Sequence, residues 1–299
     1  MRVHHFSVTV DCRVAEGSAA EVYEDRGCLL LPDSYSDTGA PVRLVISCHG
    51  AGGTVTTDDA QVMGQVLTRY LLANGYAVMD VNGLPEAYAS AHGIDLRNNI
   101  GSPIALRCYA AAYHYCMEHF NLKREVFVHG ASMGGISSTN LVLSGLIPVI
   151  AHSAFCPVLD TYNEIFLHPW CGGLPKVALG KIYGLDTDAQ GEYIYDESKL
   201  CTCNPVCSER AKCYPVPVKF WHCEDDPVVS FAITERFVQD ICARGGNAQL
   251  RAFPRGGHEP QLVGEAIASP VGNTAFEGEV LQITPAVEEV LLFIKGFDQ

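Results

Sequence analysis

A serine in a glycine-flanked turn is the strongest chemical feature of the sequence. Ser132 occupies the centre of Gly130-Ala131-Ser132-Met133-Gly134, after an apolar segment that favours a strand and before a segment compatible with a helix. In that context the pattern G-x-S-x-G predicts a sharp turn that lifts the serine hydroxyl clear of the sheet. Glycines are expected at both flanks because a Cβ there would collide with the neighbouring backbone. We therefore predict Ser132 as a nucleophile, with a glycine-rich turn around an incidental serine as the alternative.

A serine hydroxyl needs a base to attack a carbonyl, and the base needs an orienting acid. In a strand, turn and helix arrangement of this kind, the acid and then the histidine follow the serine along the chain. Asp226 stands where a predicted buried strand ends, and the neighbouring Asp225 and Glu224 compete for the same role. His258 follows two glycines in the loop after the next strand, and the glycines let it fold back over the serine. The sequence predicts Ser132, His258 and Asp226 as a catalytic triad.

Three further histidines follow Ser132, and none of them is predicted to be the base. His152 falls in a predicted strand and is expected in the core, and His168 lies in the irregular stretch after it. His222 ends the strand before Asp226, where we expect it to shape the loop that carries the acid.

Catalysis at a carbonyl also needs backbone N–H groups that stabilise the developing negative oxygen. One is expected from Met133, the residue after the serine. The other is expected from the glycine-rich loop His49-Gly-Ala-Gly-Gly53, with Ala51 as the first candidate and Gly52 as the second. A flexible turn or a phosphate loop is the alternative for this motif alone. The phosphate loop is disfavoured because the motif lacks the G-K-[ST] signature.

The composition indicates a folded acidic protein. Of 299 residues, 48% are apolar and 18% are charged, and the formal net charge is −14. A charge of that sign disfavours nucleic acid and anionic membrane surfaces as partners. Residues 1–7 lack the apolar core of a signal peptide, which predicts a cytoplasmic location. Gly145 and Pro148 interrupt the longest apolar stretch, residues 141–159, so no membrane span is predicted.

The cysteines are 13 in number, and an odd count without a signal peptide favours reduced thiols. Four of them cluster at Cys201, Cys203, Cys207 and Cys213, but their spacing departs from the paired hooks of zinc sites. Small side chains packed in a cysteine-rich segment are the favoured interpretation, with metal binding and a disulfide as alternatives. No metal and no organic cofactor is predicted for the reaction.

The elements that must position these residues follow from hydrophobic periodicity. Residues 6–10 and 26–32 are predicted to form an antiparallel strand pair at a sheet edge. After them, near-continuous apolar strands alternate with helical patterns, which predicts an α/β fold with a parallel sheet and helices on both faces. The later strands are predicted at residues 42–48, 76–81, 125–129, 149–153, 216–223 and 249–253. The helices are predicted at residues 59–73, 103–120, 136–143, 229–244 and 285–297, with a long loop at 82–101.

Residues 157–214 break this alternation. The stretch holds Trp170, several tyrosines and the cysteine cluster, and it is predicted to be a cap-like insertion within one domain of residues 1–299. Trp170 is a candidate substrate contact because an aromatic wall suits an acyl or aromatic group. The alternative is that these rings pack the small core of the insertion itself.

The sequence resembles the α/β-hydrolase superfamily over residues 26–299. Within it, the chain looks like the esterase branch of feruloyl and acetyl xylan esterases, polyhydroxybutyrate depolymerases, and dienelactone hydrolase or prolyl oligopeptidase-type catalytic domains. The motifs that carry the resemblance are L-L-L-P near residue 29, H-G-A-G-G at 49–53, G-A-S-M-G-G at 130–135, H-x-x-x-D-x-V-V at 222–229 and G-G-H at 256–258.

The resemblance implies an α/β-hydrolase fold and roles for five residues: Ser132 as nucleophile, Asp226 as acid, His258 as base, and Ala51 and Met133 as N–H donors. One departure stands at Cys223, where many relatives have a glycine after the histidine. That difference leaves Asp225 open beside Asp226 as the acid.

The main functional hypothesis is a serine carboxylic-ester hydrolase that acts through an acyl-enzyme on a small, acetyl or hydroxycinnamoyl ester. A serine peptidase of the prolyl oligopeptidase type is the first alternative, since the same triad cleaves amides. A hydrolase-fold protein that binds without catalysis is the second. A small-molecule ester is the predicted partner, and assembly as a homo-oligomer stays open.

Overall fold

The computed structural model of the chain describes residues 1–14, 20–270 and 279–298. Residues 15–19, 271–278 and 299 of the predicted single domain lie outside the described residues. The strands are β1 (Arg2–Asp11), β2 (Val22–Leu31), β3 (Leu44–Cys48), β4 (Ala77–Val81), β5 (Val126–Ala131), β6 (Val149–Phe155), β7 (Val218–Cys223), β8 (Ala248–Phe253), β9 (Ile267–Pro270) and β10 (Val280–Ile283). The helices are α1 (Val66–Ala73), α2 (Glu86–His92), α3 (Pro103–His119), α4 (Met133–Ser144), α5 (Leu174–Ile182), α6 (Glu197–Leu200), α7 (Phe231–Ala243) and α8 (Pro285–Phe297).

Eight of these strands form one sheet in the order β1-β2-β4-β3-β5-β6-β7-β8. β2 pairs antiparallel with both β1 and β4. The other pairings in this sheet are parallel, and parallel neighbours require crossover connections, most of which contain helices here. The predicted mostly parallel sheet with an antiparallel N-terminal edge is confirmed.

The sheet is covered on both faces. Every residue of β3 and β4 is buried, as their continuous apolar sequences predict. The larger apolar cluster packs side chains of α3 and α4 against one face, and a second cluster packs α1 and α8 against the other. This burial fixes the strands, so the loops that leave β3, β5, β7 and β8 meet at one edge of the sheet.

Two predicted elements differ in the structure. The helix predicted at 59–73 is divided into a 3₁₀ turn, Gln61–Gly64, and α1, because Gln65 between them has extended backbone angles. The loop predicted at 82–101 contains α2, which ends at Gly93 in the left-handed conformation. Seven residues are too few for a clear helical period, so composition alone suggested a loop there.

The antiparallel pair β9 and β10 was also not predicted. Each strand has four residues, and the alternating buried pattern of β10 is too short to stand out from its surroundings.

Residues 157–214 lie between β6 and β7 and hold α5, α6, a π-helical turn at Tyr162–Leu167 and three short 3₁₀ turns. Five aromatic residues of this segment pack against the larger apolar cluster: Phe166, Trp170, Tyr183, Tyr193 and Tyr195. The Tyr195 ring contacts Tyr162 and Phe166, with ring centroids 4.8 and 5.2 Å apart. All 13 cysteines are free thiols. Among the described residues, no helix is long and apolar enough to span a membrane.

Candidate active site

Ser132 lies in a strained turn between β5 and α4. Its φ and ψ angles are 54° and −120°, values that a residue with a side chain rarely adopts. The Ser132 N–H donates to the Phe155 carbonyl at 2.9 Å, and the Gly135 N–H donates to the Ser132 carbonyl at 2.8 Å. These bonds to β6 and α4 hold the serine in the conformation that projects its hydroxyl from the sheet edge.

The flanking glycines are required by close backbone approach. A Cβ on Gly130 would lie 2.3 Å from the Gly134 carbonyl oxygen, and one on Gly134 would lie 1.9 Å from the Cys48 carbonyl oxygen. Both distances are far below van der Waals contact. The turn therefore closes against β3 only because these two positions carry no side chain.

The structure brings Ser132, His258 and Asp226 together from three loops. The Ser132 Oγ lies 2.8 Å from His258 Nε2, and His258 Nδ1 lies 2.8 Å from Asp226 Oδ2. The Asp226 side chain has no exposure to solvent, whereas 23% of the His258 side chain is exposed. The histidine is thus accessible to a bound substrate, whereas the carboxylate that orients it is shielded from solvent.

Asp226 is held as a carboxylate by its donors. Burial raises the pKa of its carboxyl, but hydrogen bonds from His222, His258 and two backbone N–H groups outweigh burial and hold the pKa well below its usual range. Val228 and Val229 donate to Oδ1 at 2.8 and 3.0 Å. An ionised Asp226 can accept from His258 Nδ1–H, which leaves Nε2 free to take the serine proton.

His222 is a second histidine on the same carboxylate. Its Nε2 lies 3.0 Å from Asp226 Oδ2, and its Nδ1 lies 3.0 Å from the Thr234 hydroxyl at the start of α7. With the Thr234 hydroxyl donating to Nδ1, Nε2 carries the proton and donates to the acid. The prediction that His222 shapes the acid loop agrees with this contact.

Asp225 has a different partner. Its Oδ1 accepts the Gly257 N–H at 2.8 Å, one residue before His258. The two neighbouring aspartates thus have different partners. Asp226 contacts the imidazole of His258, and Asp225 holds the backbone of the loop that carries His258. In this geometry Asp226, and not Asp225, is the partner of His258, and the role of Asp226 as the acid stays a prediction.

The loop after β3 lies beside the serine. A Cβ on Gly50 would lie 3.5 Å from the Ser132 Cβ, and the turn closes with a 3.1 Å hydrogen bond from the Gly53 N–H to the Gly50 carbonyl. Gly52 adopts a φ of 90° within this turn. Met133 begins α4, so its N–H has no intrahelical acceptor. Ala51 and Met133 stay the predicted donors to a substrate oxyanion, with Gly52 as the second candidate beside Ala51.

A buried polar network under that loop was not predicted. His49 Nδ1 lies 3.0 Å from Asp80 Oδ2 at the end of β4, and the Tyr109 hydroxyl donates to Asp80 Oδ1 at 3.0 Å. His49 and Asp80 have 1% or less of their side chains exposed. Burial lowers the pKa of His49, but the charge and the hydrogen bond of Asp80, together with the charge of Asp25, outweigh burial and the net shift is upward. This pair anchors the residue that precedes Gly50, and the His-Gly start of the motif was its only signal in the sequence.

Cys156 was likewise missed. It follows β6 with a φ of 36°, is 2% exposed, and its Sγ donates to the His258 carbonyl at 3.4 Å. Burial raises the pKa of its thiol well above the ordinary value. One cysteine among many carries no signal in a single sequence.

Glu164 connects the insertion to the acid loop. Its carboxylate accepts N–H groups of Leu159, Asp160 and Ser230 at 2.8, 2.9 and 3.1 Å. Burial raises its pKa to about 7, although these three hydrogen bonds act in the opposite direction. The side chain therefore couples the segment after β6 to the residues that follow Asp226.

Trp170, the predicted substrate contact, packs against the larger apolar cluster. Its indole N–H is buried and has no partner among the described residues. An open pocket of about 700 Å³ lies beside Asp226, between the π-helical turn and the acid loop, and Ser132 and His258 are not among the residues that line it. The residues that line it include Asn163, His168, Glu224, Pro227, Val228 and Phe231.

No family model and no curated protein matches the chain. Solved structures do match it. An acylaminoacyl peptidase in complex with Z-Gly-Gly-Phe-chloromethyl ketone has a TM-score of 0.66 at 14% identity, covering 99% of this chain and 41% of that one. A puromycin hydrolase has a TM-score of 0.59 at 17% identity, covering 86% and 36%. A putative dipeptidyl aminopeptidase IV from Bacteroides ovatus has a TM-score of 0.59 at 13% identity, covering 99% and 35%.

At these identities the likeness shows the fold. The chain has the α/β-hydrolase fold, so the resemblance seen in the sequence is confirmed at that level. The chain spans 35 to 41% of the length of the three structures above.

Proposed function

We propose that the protein is a serine hydrolase that cleaves an acyl bond through a covalent acyl-enzyme. The observation that carries the proposal is the continuous relay from Ser132 Oγ through His258 to Asp226, with both contacts at 2.8 Å. The strained backbone of Ser132 is further support, since strain of this kind is retained where function requires it.

The chemistry follows from the protonation states. His258 Nε2 takes the Ser132 proton as Oγ attacks the carbonyl carbon, and the imidazolium is stabilised by the Asp226 carboxylate. The N–H groups of Ala51 and Met133 would donate hydrogen bonds to the carbonyl oxygen as it becomes negatively charged. His258 then protonates the leaving group, and the same base activates water to release the acid and restore Ser132.

The bond class is the open part of the proposal. The structures with this fold named above are two peptidases and a puromycin hydrolase, which favours an amide of a peptide-like substrate. The ester hypothesis is the second candidate because the sequence motifs resemble esterases and the same triad serves both bonds. A protein that binds without catalysis is disfavoured by the intact relay.

We further propose that residues 157–214 form the wall of the substrate cleft. The support is the Glu164 side chain of this segment, which accepts the Ser230 N–H at 3.1 Å and so joins the segment to the loop that carries Asp226. The cytoplasmic location stays a prediction from the sequence.

The test compares the parent with Ser132→Ala on matched aminoacyl-naphthylamides and p-nitrophenyl esters. We expect Ser132→Ala to lower kcat by at least ~10⁴-fold on whichever series is turned over, by analogy with triad deletions. Ser90→Ala, on the exposed face of α2, is the matched control and should keep the parent rate. Undiminished turnover by folded Ser132→Ala would refute the proposal, and the ratio of kcat/KM between the two series decides the bond class.

A further inference from the structure

Cys156 occupies a position that the proposed mechanism does not use. Its thiol donates a hydrogen bond to the His258 carbonyl, and it does not hydrogen-bond to Ser132 Oγ or to the loop of residues 49–53. No step of the proposed mechanism uses this thiol. Its hydrogen bond to the carbonyl also contributes little, because a thiol is a weak donor. The sulfur atom is therefore available for another role.

The thiol completes a set of three ligand types. One ligand atom each from Cys156, Asp226 and His258 lies within 4.8 Å of the other two. In the part of the chain that the structure describes, this is the one group of three or more such side chains at that spacing. The three residues come from the loops after β6, β7 and β8, which the parallel sheet holds side by side.

We propose that these three side chains form a binding site for a thiophilic divalent cation, Zn²⁺ or Cd²⁺, and that the bound cation switches the active site off. A sulfur, an imidazole nitrogen and a carboxylate oxygen are the three donors that Zn²⁺ prefers in proteins. Hard cations such as Mg²⁺ require about six oxygen ligands, which this set does not offer.

The geometry asks for small movements. A tetrahedral ion with bonds of about 2.0 to 2.3 Å has ligand atoms about 3.3 to 3.8 Å apart. The Asp226 and His258 atoms, now 2.8 Å apart, would have to separate slightly, and the sulfur lies within 4.8 Å of a ligand atom of each. With three protein ligands, a fourth position is left for water or for a substrate group.

Inhibition follows from where the protons go. The cation takes the place of the hydrogen between His258 Nδ1 and Asp226, and that proton moves to Nε2 of the same ring. The Cys156 thiol proton is released to solvent, as metal ligation of a thiol requires. With Nε2 protonated and Asp226 neutralised by the cation, His258 can no longer accept the Ser132 proton.

The first measurement does not depend on catalysis. Cd²⁺ is titrated into the reduced full chain, and the ultraviolet thiolate-to-cadmium charge-transfer absorption is recorded for the parent, Cys156→Ala and Cys156→Ser. Cys242→Ser is the control for surface thiols, since Cys242 is exposed on α7. We expect one saturating phase that both Cys156 variants lack and that Cys242→Ser retains. Equal saturating phases in the parent and the folded Cys156 variants would overturn the site.

The second measurement rests on the proposed function. Zn²⁺ inhibition is measured for each protein relative to its own uninhibited rate and is then reversed with a chelator. We expect the inhibitory Zn²⁺ concentration to rise by at least tenfold in both Cys156 variants. Inhibition that is equal in parent and variants would place the inhibitory cation elsewhere and contradict the proposal. If no substrate is turned over at all, the proposed function fails, whereas the cadmium absorption still tests the metal site.

Discussion

At the scale of single residues, two adjacent aspartates have separate partners. Asp226 accepts from the His258 ring, and Asp225 accepts from the Gly257 backbone. The acid of a triad is identified by the hydrogen bond that orients the imidazole, and only Asp226 makes it. Asp225 acts on the same histidine indirectly, through the backbone of its loop.

Replacing the two aspartates should therefore lower kcat by unequal amounts. Asp226→Asn should lower kcat by ~10⁴-fold, because an amide cannot hold the required tautomer of His258 or stabilise its charged form. Asp225→Asn is the matched control and should cost less than ~10-fold, since the amide oxygen still accepts the Gly257 N–H. Steady-state kinetics on the preferred substrate measure both. The reverse order of losses would make Asp225 the acid.

His222 is a positioning residue whose removal should be seen in the pH profile. His222→Leu takes one donor from Asp226, which leaves more negative charge to stabilise the protonated form of His258. We expect the acid limb of the kcat/KM profile to move to higher pH, with a stability cost of ~1 to 3 kcal/mol for the buried oxygen left short of a donor.

His222→Gln supplies the control, because its amide can still donate near the former Nε2 position. It should restore the acid limb toward that of the parent. A purely structural role would lower the stability of His222→Leu without moving the limb.

At the scale of elements, the turn between β5 and α4 depends on how closely three backbone segments approach. The carbonyls of Cys48 and Gly134 occupy the space that Cβ atoms on Gly134 and Gly130 would need. Ser132 is thus placed by the packing of α4 against β3 as much as by its own loop.

Gly134→Ala should accordingly disrupt both stability and the site. Its Cβ would lie 1.9 Å from a backbone oxygen that cannot rotate away, so α4 must shift. We expect a loss of ~3 kcal/mol or more in the free energy of unfolding, at or above the usual range for overpacking. Gly296→Ala in α8 meets no atom within 4 Å and should be neutral or slightly stabilising. Urea denaturation compares the two variants, and equal midpoints would show that the turn is not sterically closed.

At the scale of the whole molecule, buried titratable groups act on stability in opposite directions. Burial lowers the pKa of His129 and of His152 to about 3. Burial also raises the pKa of Asp25 and of Glu164 to about 7. As pH falls below the ordinary pKa of histidine, the unfolded chain binds protons at these two residues and the folded chain does not. The free energy of unfolding therefore falls. Over the same range the folded chain binds protons at the two acids, so stability rises.

Single replacements should expose these opposing contributions. Relative to the parent, His152→Gln should gain ~2 to 3 kcal/mol of stability between about pH 6.5 and pH 4.5, because a proton-binding site of the unfolded chain is removed. Asp25→Asn should change by a similar amount in the other direction, losing relative stability as pH falls. The free energy of unfolding from urea titrations at three pH values measures both. Parallel curves for the two variants would contradict the assignment.

The sequence by itself determined the order of the parts along the chain, and it predicted the chemistry that is proposed for them. Three features follow from local pattern: Ser132 between two glycines, three acids at a strand end, and a histidine after a glycine pair. A local pattern is enough for the serine turn because its steric limits depend on adjacent residues. The alternation of apolar strands and helices determined the parallel sheet for a similar reason, since burial on both faces leaves a visible periodicity. The short elements α2, β9 and β10 were not predicted, because a hydrophobic period is visible only in a longer segment.

The tertiary structure alone decided which groups meet. Asp225 and Asp226 are equivalent in the sequence, and their partners lie about 30 residues away on another loop. The directions of their side chains depend on backbone angles that no neighbouring residue dictates. Cys156 under His258, His222 on Asp226 and Glu164 on Ser230 join loops that only the sheet brings side by side. Such contacts leave no local signal, because their energy comes from residues distant in the chain.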